Sequence, residues 1–145
     1  MGQQQLLLIV LGVIIVGVAV AVGVTQFKSS AVDSNRQAVI GDLINLAAKA
    51  QRYYRTPTSL AGGGQNFQNF YLSATDTGNA NGSYSITTTA PTALTKVAGS
   101  MTAVSSSAST IYIVGCGNEL GNDATNEVKA YATVTADNIT TVILN

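Results

Sequence analysis

Leu6–Val24 reads Leu-Leu-Leu-Ile-Val-Leu-Gly-Val-Ile-Ile-Val-Gly-Val-Ala-Val-Ala-Val-Gly-Val, 19 residues without one polar side chain. A helix rises about 1.5 Å per residue, so roughly 20 such residues cross a hydrocarbon core of about 30 Å, and the stretch is a membrane-span candidate by length. A cleaved secretory signal is the competing reading, with Ala19-Val20-Ala21 resembling a cleavage site. That reading expects a basic region before the apolar run, and Met1-Gly2-Gln3-Gln4-Gln5 carries no Lys or Arg.

Beyond Val24 the helical pattern continues and becomes amphipathic. Val32, Val39, Leu43, Leu46, Ala50 and Tyr53 are spaced by seven, four, three, four and three residues, which is one stripe of a helix. Asp33, Arg36, Asp42, Lys49 and Arg52 fill mostly the other faces. No Pro precedes Pro57, where Thr56-Pro57 and then Gly62-Gly63-Gly64 form the stop signal. One helix of about 50 residues follows, about 75 Å long and more than twice what a bilayer needs. Its second half therefore lies along a folded domain or along other copies of itself. Gly12, Gly17, Gly23 and Gly41 fall inside this helix, each costing up to about 1 kcal/mol relative to Ala in water. They permit close helix–helix approach in lipid, or they let the helix unwind locally when it leaves lipid.

Lys28 and Arg36 follow the span and nothing basic precedes it, so the positive-inside rule taken literally puts the C-terminal part in the cytoplasm. We expect the opposite side, because the rest of the chain is rich in Ser, Thr, Asn and Gly and poor in ions, a composition suited to an exterior surface.

The remaining composition narrows the function classes. Among 145 residues there are 7 Lys+Arg, 7 Asp+Glu, no His and one Cys, so the usual parts of transition-metal sites and His-based nucleophile triads are missing. Net charge is zero, which leaves no basic field for phosphates and argues against specific nucleic-acid binding. A single Cys excludes an internal disulfide framework. We expect no catalytic residues, no cofactor and no metal.

After Gly64 the period changes from helical to two-residue alternation. Gln65 to Asn81 reads as an irregular connection whose Phe67, Phe70, Tyr71 and Leu72 pack against the helix, and Asn81-Gly82 marks a turn. Five strands are predicted, at 84–89, 94–104, 110–116, 128–135 and 139–144, with Asp137-Asn138 closing the last two as a hairpin. Some eighty-five residues make a thin independent core, so the sheet is expected to close on the helix stripe, chiefly Val39, Leu43, Leu46, Ala50 and Tyr53. The fold class is α+β: one long N-terminal helix packed on a small C-terminal antiparallel sheet. The divisions fall at 1–24 (apolar helix), 25–56 (its amphipathic continuation), 57–82 (Gly-rich connection) and 83–145 (β head).

Possible chemical motifs in the head have plainer readings. Gly115-Cys116-Gly117-Asn118-Glu119-Leu120-Gly121 lacks the spacing and following helix of a phosphate loop and reads as a turn after a strand. Gly62-Gly63-Gly64 lacks the Lys-Ser/Thr of a P-loop and reads as a linker. Glu119, Asp123 and Glu127 offer oxygen ligands of the kind Ca²⁺ takes, without the EF-hand pattern, and read otherwise as a solvated acidic loop. Cys116, at the end of an apolar strand, reads as a buried small hydrophobe. Asn81-Gly82-Ser83 and Asn138-Ile139-Thr140 match the N-glycan acceptor pattern. Thr87-Thr88-Thr89 and Ser105-Ser106-Ser107 are candidates for O-linked sugar or simply the polar face of a strand.

An apolar helix near the amino terminus, continued along the same axis as an amphipathic helix, then a Gly-rich break and a small sheet, resembles the type IV pilin superfamily over the whole chain. The resemblance implies leader cleavage after Gly2 and methylation of the Gln3 nitrogen. It also implies an inner-membrane precursor handled by pilus assembly machinery, then a self-assembled extracellular filament whose core is packed by Leu6, Leu7, Leu8, Ile9, Leu11, Ile14, Ile15 and Val18. The chain departs from the pattern in lacking a basic leader and the C-terminal disulfide loop. It also has Leu7 at the fifth position after Gly2, where the family carries a Glu thought to pair with a neighbour's terminal amine. Gln3, Gln4 and Gln5 offer neutral amides instead, which cost less to bury than an unpaired charge.

Assembly also has a physical argument independent of the family. A head that covers only the distal half of the helix leaves about 25 apolar residues in need of lipid or a partner. At about 25 cal/mol per Å², burying on the order of 1,000 Å² of such helix gives tens of kcal/mol gross. Identical contacts that do not close into a ring propagate as a helical polymer. Two rivals are a pseudopilin, acting as a periplasmic piston in a type II secretion-like system, and a membrane-anchored periplasmic binding module. Electron conduction along the helix is disfavoured, because about 39 Å without an aromatic separates Phe27 from Tyr53-Tyr54.

Overall fold

The computed structural model describes residues 2–94 and 96–145. Met1 of the expected leader and Thr95 of the expected second strand lie outside the described residues. A single helix, α1 (Gly2–Arg55), runs for 54 residues, about 80 Å at 1.5 Å per residue. It ends where Pro57 cannot continue it, and the following loop satisfies the last carbonyls. Thr56 donates from its backbone and Oγ1 to the Arg52 carbonyl (3.1 and 2.8 Å), Gly63 N–H donates to Tyr53 (2.8 Å) and Gln65 N–H to Tyr54 (2.8 Å). A Cβ on Gly62 would run into the Thr56 backbone, and one on Gly63 into Asn66 and the Tyr53 ring. The glycine triplet is therefore a folded cap over the helix end, not the linker expected from composition.

Four strands form one antiparallel sheet in the order β1 (Gly82–Thr87), β2 (Thr110–Leu120), β3 (Glu127–Thr135) and β4 (Ile139–Ile143). The fold is α+β, a long N-terminal helix packed on a small antiparallel sheet, which is a pilin-like architecture. The hairpin at Asp137-Asn138 is present, closed by Thr135 N–H donating to the Asn138 carbonyl (3.0 Å).

Two expectations are corrected. The described residues of 94–104 form no strand. They make single hydrogen bonds to different partners, as when Val97 N–H donates to Cys116 Sγ (3.3 Å), Ser100 N–H to the Tyr84 carbonyl (3.2 Å) and Val104 N–H to the Phe70 carbonyl (2.9 Å). The segment is a strap over the β1 edge and the outer sheet face; at that edge the Ser100 amide takes the Tyr84 carbonyl while the Tyr84 amide donates to the Thr77 carbonyl (2.9 Å), so the edge is covered. Secondly, Gly115–Leu120 is not a turn. It continues β2, with a register shift between Cys116 and Leu120.

The register explains the core. Tyr84 lies opposite Gly115, Ile86 opposite Ile113, Gly115 opposite Ala130 and Ile111 opposite Val134, so these residues share one face. That face meets the buried side of α1, formed by Val32, Val39, Leu43, Leu46, Ala47 and Ala50. Phe67, Phe70 and Leu72 close the distal end, where Tyr53 and Tyr54 stack at 5.3 and 4.8 Å on Phe70 and Phe67. Half-buried Tyr53 also donates its hydroxyl to the Gln68 carbonyl (2.8 Å).

Candidate functional site

From Gly2 to Ala31 every helix residue is exposed except partly covered Gly23. Leu6, Leu7, Leu8, Ile9, Leu11, Ile14, Ile15 and Val18 all stand in the open, with Leu7 at 70% and even the least exposed, Leu11, at 48%. Phe27, just past the run, is 80% exposed. Gly2 and Gln3 begin the described helix. The helix is long and apolar enough to cross a membrane. A Cβ added at Gly12, Gly17 or Gly23 would touch nothing, so the subunit itself does not use the space these glycines leave.

The head begins where Val32 becomes buried. Asn35 Nδ2 donates to the Asn81 carbonyl (2.9 Å), and Arg36 holds Asp33 (2.7 Å) and Asn122 Oδ1 (3.1 Å). The end of β2 comes down to this level, because Gly117 lies against Asn35 and the Glu119 amide is 3.5 Å from Asn35 Oδ1. Asn35, Arg36, Glu119 and Asn122 thus form a polar rim around the point where the bare helix leaves the head.

A second junction, about two helix turns further up, rests on Asp42. Its Oδ2 accepts hydrogen bonds from Asn79 Nδ2 (2.8 Å), Asn81 Nδ2 (2.8 Å) and the Tyr84 hydroxyl (2.7 Å). Burial pushes the Asp42 carboxyl up, but the bonds from Asn81, Tyr84 and Asn79 together outweigh it and hold the group below its ordinary value. Burial, then the Asp42 carboxylate beside it, raise the Tyr84 phenol far above the usual range. Nothing in the sequence pattern singled out Asp42, since a lone acid on a polar helix face gives no signal. Gly115 and Gly117 did carry one: glycines two apart in a strand mark a close approach on one face, here of the Val39 and Asn35 side chains.

The remaining candidates separate. Asp123 is occupied by Asn126 Nδ2 (2.6 Å) and the amides of Asn126 (2.9 Å) and Thr125 (3.1 Å), which hold its carboxyl down at about 2. Glu127 Oε1 accepts from Lys96 Nζ (2.7 Å). Glu119, Asp123 and Glu127 do not converge, and among the described residues no group of three His, Cys, Asp or Glu side chains comes together as a metal site. Cys116 is a buried free thiol. Lys129, buried on the outer sheet face, donates to the Ala93 carbonyl beneath the strap. The two glycan acceptor patterns differ in access: the Asn81 side chain is engaged with Asp42, whereas Asn138 is exposed on the β3–β4 turn. Comparison of the chain with protein-family models, with curated proteins and with solved structures returns no match.

Proposed function

We propose that this chain is the structural subunit of an extracellular type IV pilus-like filament, made as an inner-membrane precursor and polymerised through its N-terminal helix with the β head outside. The observation that carries the reading is the bare, largely apolar half of α1, residues 2–31, which among the described residues stands exposed throughout except for partly covered Gly23. Water does not tolerate that surface, lipid covers it in a precursor, and a bundle of identical helices covers it in a polymer. The open glycines at 12, 17 and 23 support the same reading, since small residues earn their helix cost where neighbouring helices approach closely or where the helix unwinds on leaving lipid.

The test is to shear the surface of the source cells and image the released material by cryo-electron microscopy at side-chain resolution. The expected result is a filament whose density fits this sequence, with Leu6–Val24 in the core and the sheet outside. If the protein stays with the membrane fraction and no filament contains it, the reading fails. A secretion piston or an anchored module then takes its place.

A further inference from the structure

The charged side chains of this protein are nearly all accounted for within one subunit. Arg36 pairs with Asp33, Lys49 with Asp76, Arg55 with Asp137 and Lys96 with Glu127. Asp42 and Asp123 accept hydrogen bonds from amides and a hydroxyl. Among the described residues this leaves one carboxylate with no side-chain partner, Glu119, and it is exposed on the rim at the end of β2. It leaves two exposed cations, Lys28 and Arg52.

The two cations are not equivalent. Arg52 lies in the last turn of α1, where the helix dipole and open solvent suit it. Lys28 is the only charged side chain before Asp33, four residues past the apolar run and next to exposed Phe27. Any packing that covers the bare helix up to the head also draws Lys28 out of water. An ammonium taken from water without an anion is strongly destabilising.

The positions match as well as the charges. Glu119 sits level with Asn35, and Lys28 is seven residues before Asn35, hence on nearly the same side of the helix and about 10 Å nearer its N-terminus. Within one chain this offset separates the two groups, and neither is in an ion pair among the described residues. A second copy in parallel orientation, displaced by about 10 Å toward the N-terminal end, brings its own Glu119 level with the first copy's Lys28. We propose that Lys28 of one copy forms an ion pair with Glu119 of a neighbouring copy, and that this contact sets the axial stagger between them. The inference rests on the filament reading above, and the occupant of this surface is a second copy of the chain.

The test uses sheared filaments. In a chain carrying Lys28→Cys and Glu119→Cys together, oxidation with copper-phenanthroline is expected to give a ladder of disulfide-linked multimers on a non-reducing denaturing gel. Chains with either substitution alone give no ladder. An intramolecular disulfide only, or filaments without cross-links, overturns the pairing and leaves the filament reading standing, with Lys28 then a membrane-surface anchor. Absence of filaments from cells carrying the unsubstituted chain overturns that reading and the pairing with it.

Charge reversal supplies a second measurement. Lys28→Glu alone and Glu119→Lys alone are each expected to lower filament yield at least about tenfold, at unchanged chain levels in the membrane. Co-expression of the two variants restores it, because each then meets an opposite charge across the contact. An in-chain pair predicts no such rescue, so continued loss on co-expression overturns the proposal.

Discussion

Asp42 ties Asn79 and Asn81 of the loop before β1, and Tyr84 of β1 itself, to the helix with a single carboxylate oxygen, and its replacement tests how much of the junction depends on charge. Asp42→Asn keeps the shape but presents neutral acceptor capacity and new donors to Asn79, Asn81 and Tyr84. We expect a loss of about 1–3 kcal/mol in urea unfolding of the detergent-solubilised chain. The folded carboxyl lies below the ordinary 3.8, so on acidification the unfolded chain takes up this proton first. The stabilisation is complete above about pH 5 and is lost progressively as pH falls through 4 and below. The unfolding midpoint of Asp42→Asn should therefore fall less steeply than that of the unsubstituted chain between pH 5 and 3. Asp123, held down at about 2, contributes in the same direction and leaves part of the acid slope in both proteins.

At the level of elements, the helix and sheet meet through complementary sizes. Leu43 is fully buried against the sheet, and Leu43→Ala is expected to cost about 2–5 kcal/mol. Opposite it, β2 gives up side chains so that α1 can approach. A Cβ on Gly115 would stand 2.8 Å from Val39 Cγ1 and 3.0 Å from Tyr84 Cε1. Gly115→Ala should cost about 1–3 kcal/mol by overpacking, whereas a second-site Val39→Ala should recover part of that loss. Thermal unfolding of the single and double variants measures the coupling, and strict additivity would show that the two residues do not share this space. The glycines Gly115 and Gly117 explain why Gly115–Leu120 reads as a turn from composition: what is punctuation in an isolated peptide is here a strand position facing the Val39 and Asn35 side chains of the helix.

For the whole molecule, the bare and covered halves of α1 make opposite predictions. Gly17→Ala meets open space and gains helix propensity, so the thermal stability of the subunit should stay level or rise by up to about 1 kcal/mol. Filament yield should nevertheless fall. Equal yields would mean that neither close packing nor local unwinding uses this glycine. Leu11→Asp places a charge in the proposed core and should abolish filaments while the subunit still reaches the membrane; normal filaments in that variant would contradict the packing.

The sequence by itself determined the long helix, its division into an apolar and an amphipathic half, the end near Pro57, the antiparallel head and the hairpin at Asp137-Asn138. These follow from local causes: hydrophobic period, the missing amide of proline and turn chemistry act within a few residues of where they are written. Only the tertiary structure decided that 94–104 is a strap, that the glycine triplet caps the helix, that Asp42 rather than the acidic loop is the polar junction, and that Glu119 is left facing outward beside the bare helix. The cap joins Gly62–Gly64 to nearby Tyr53 and Thr56 in a fold that composition does not specify, and the others depend on residues far apart in the chain, Asp42 with Tyr84 or Asn35 with Glu119. Distance along the sequence carries no information about such pairs until the sheet register and the helix face have been set against each other.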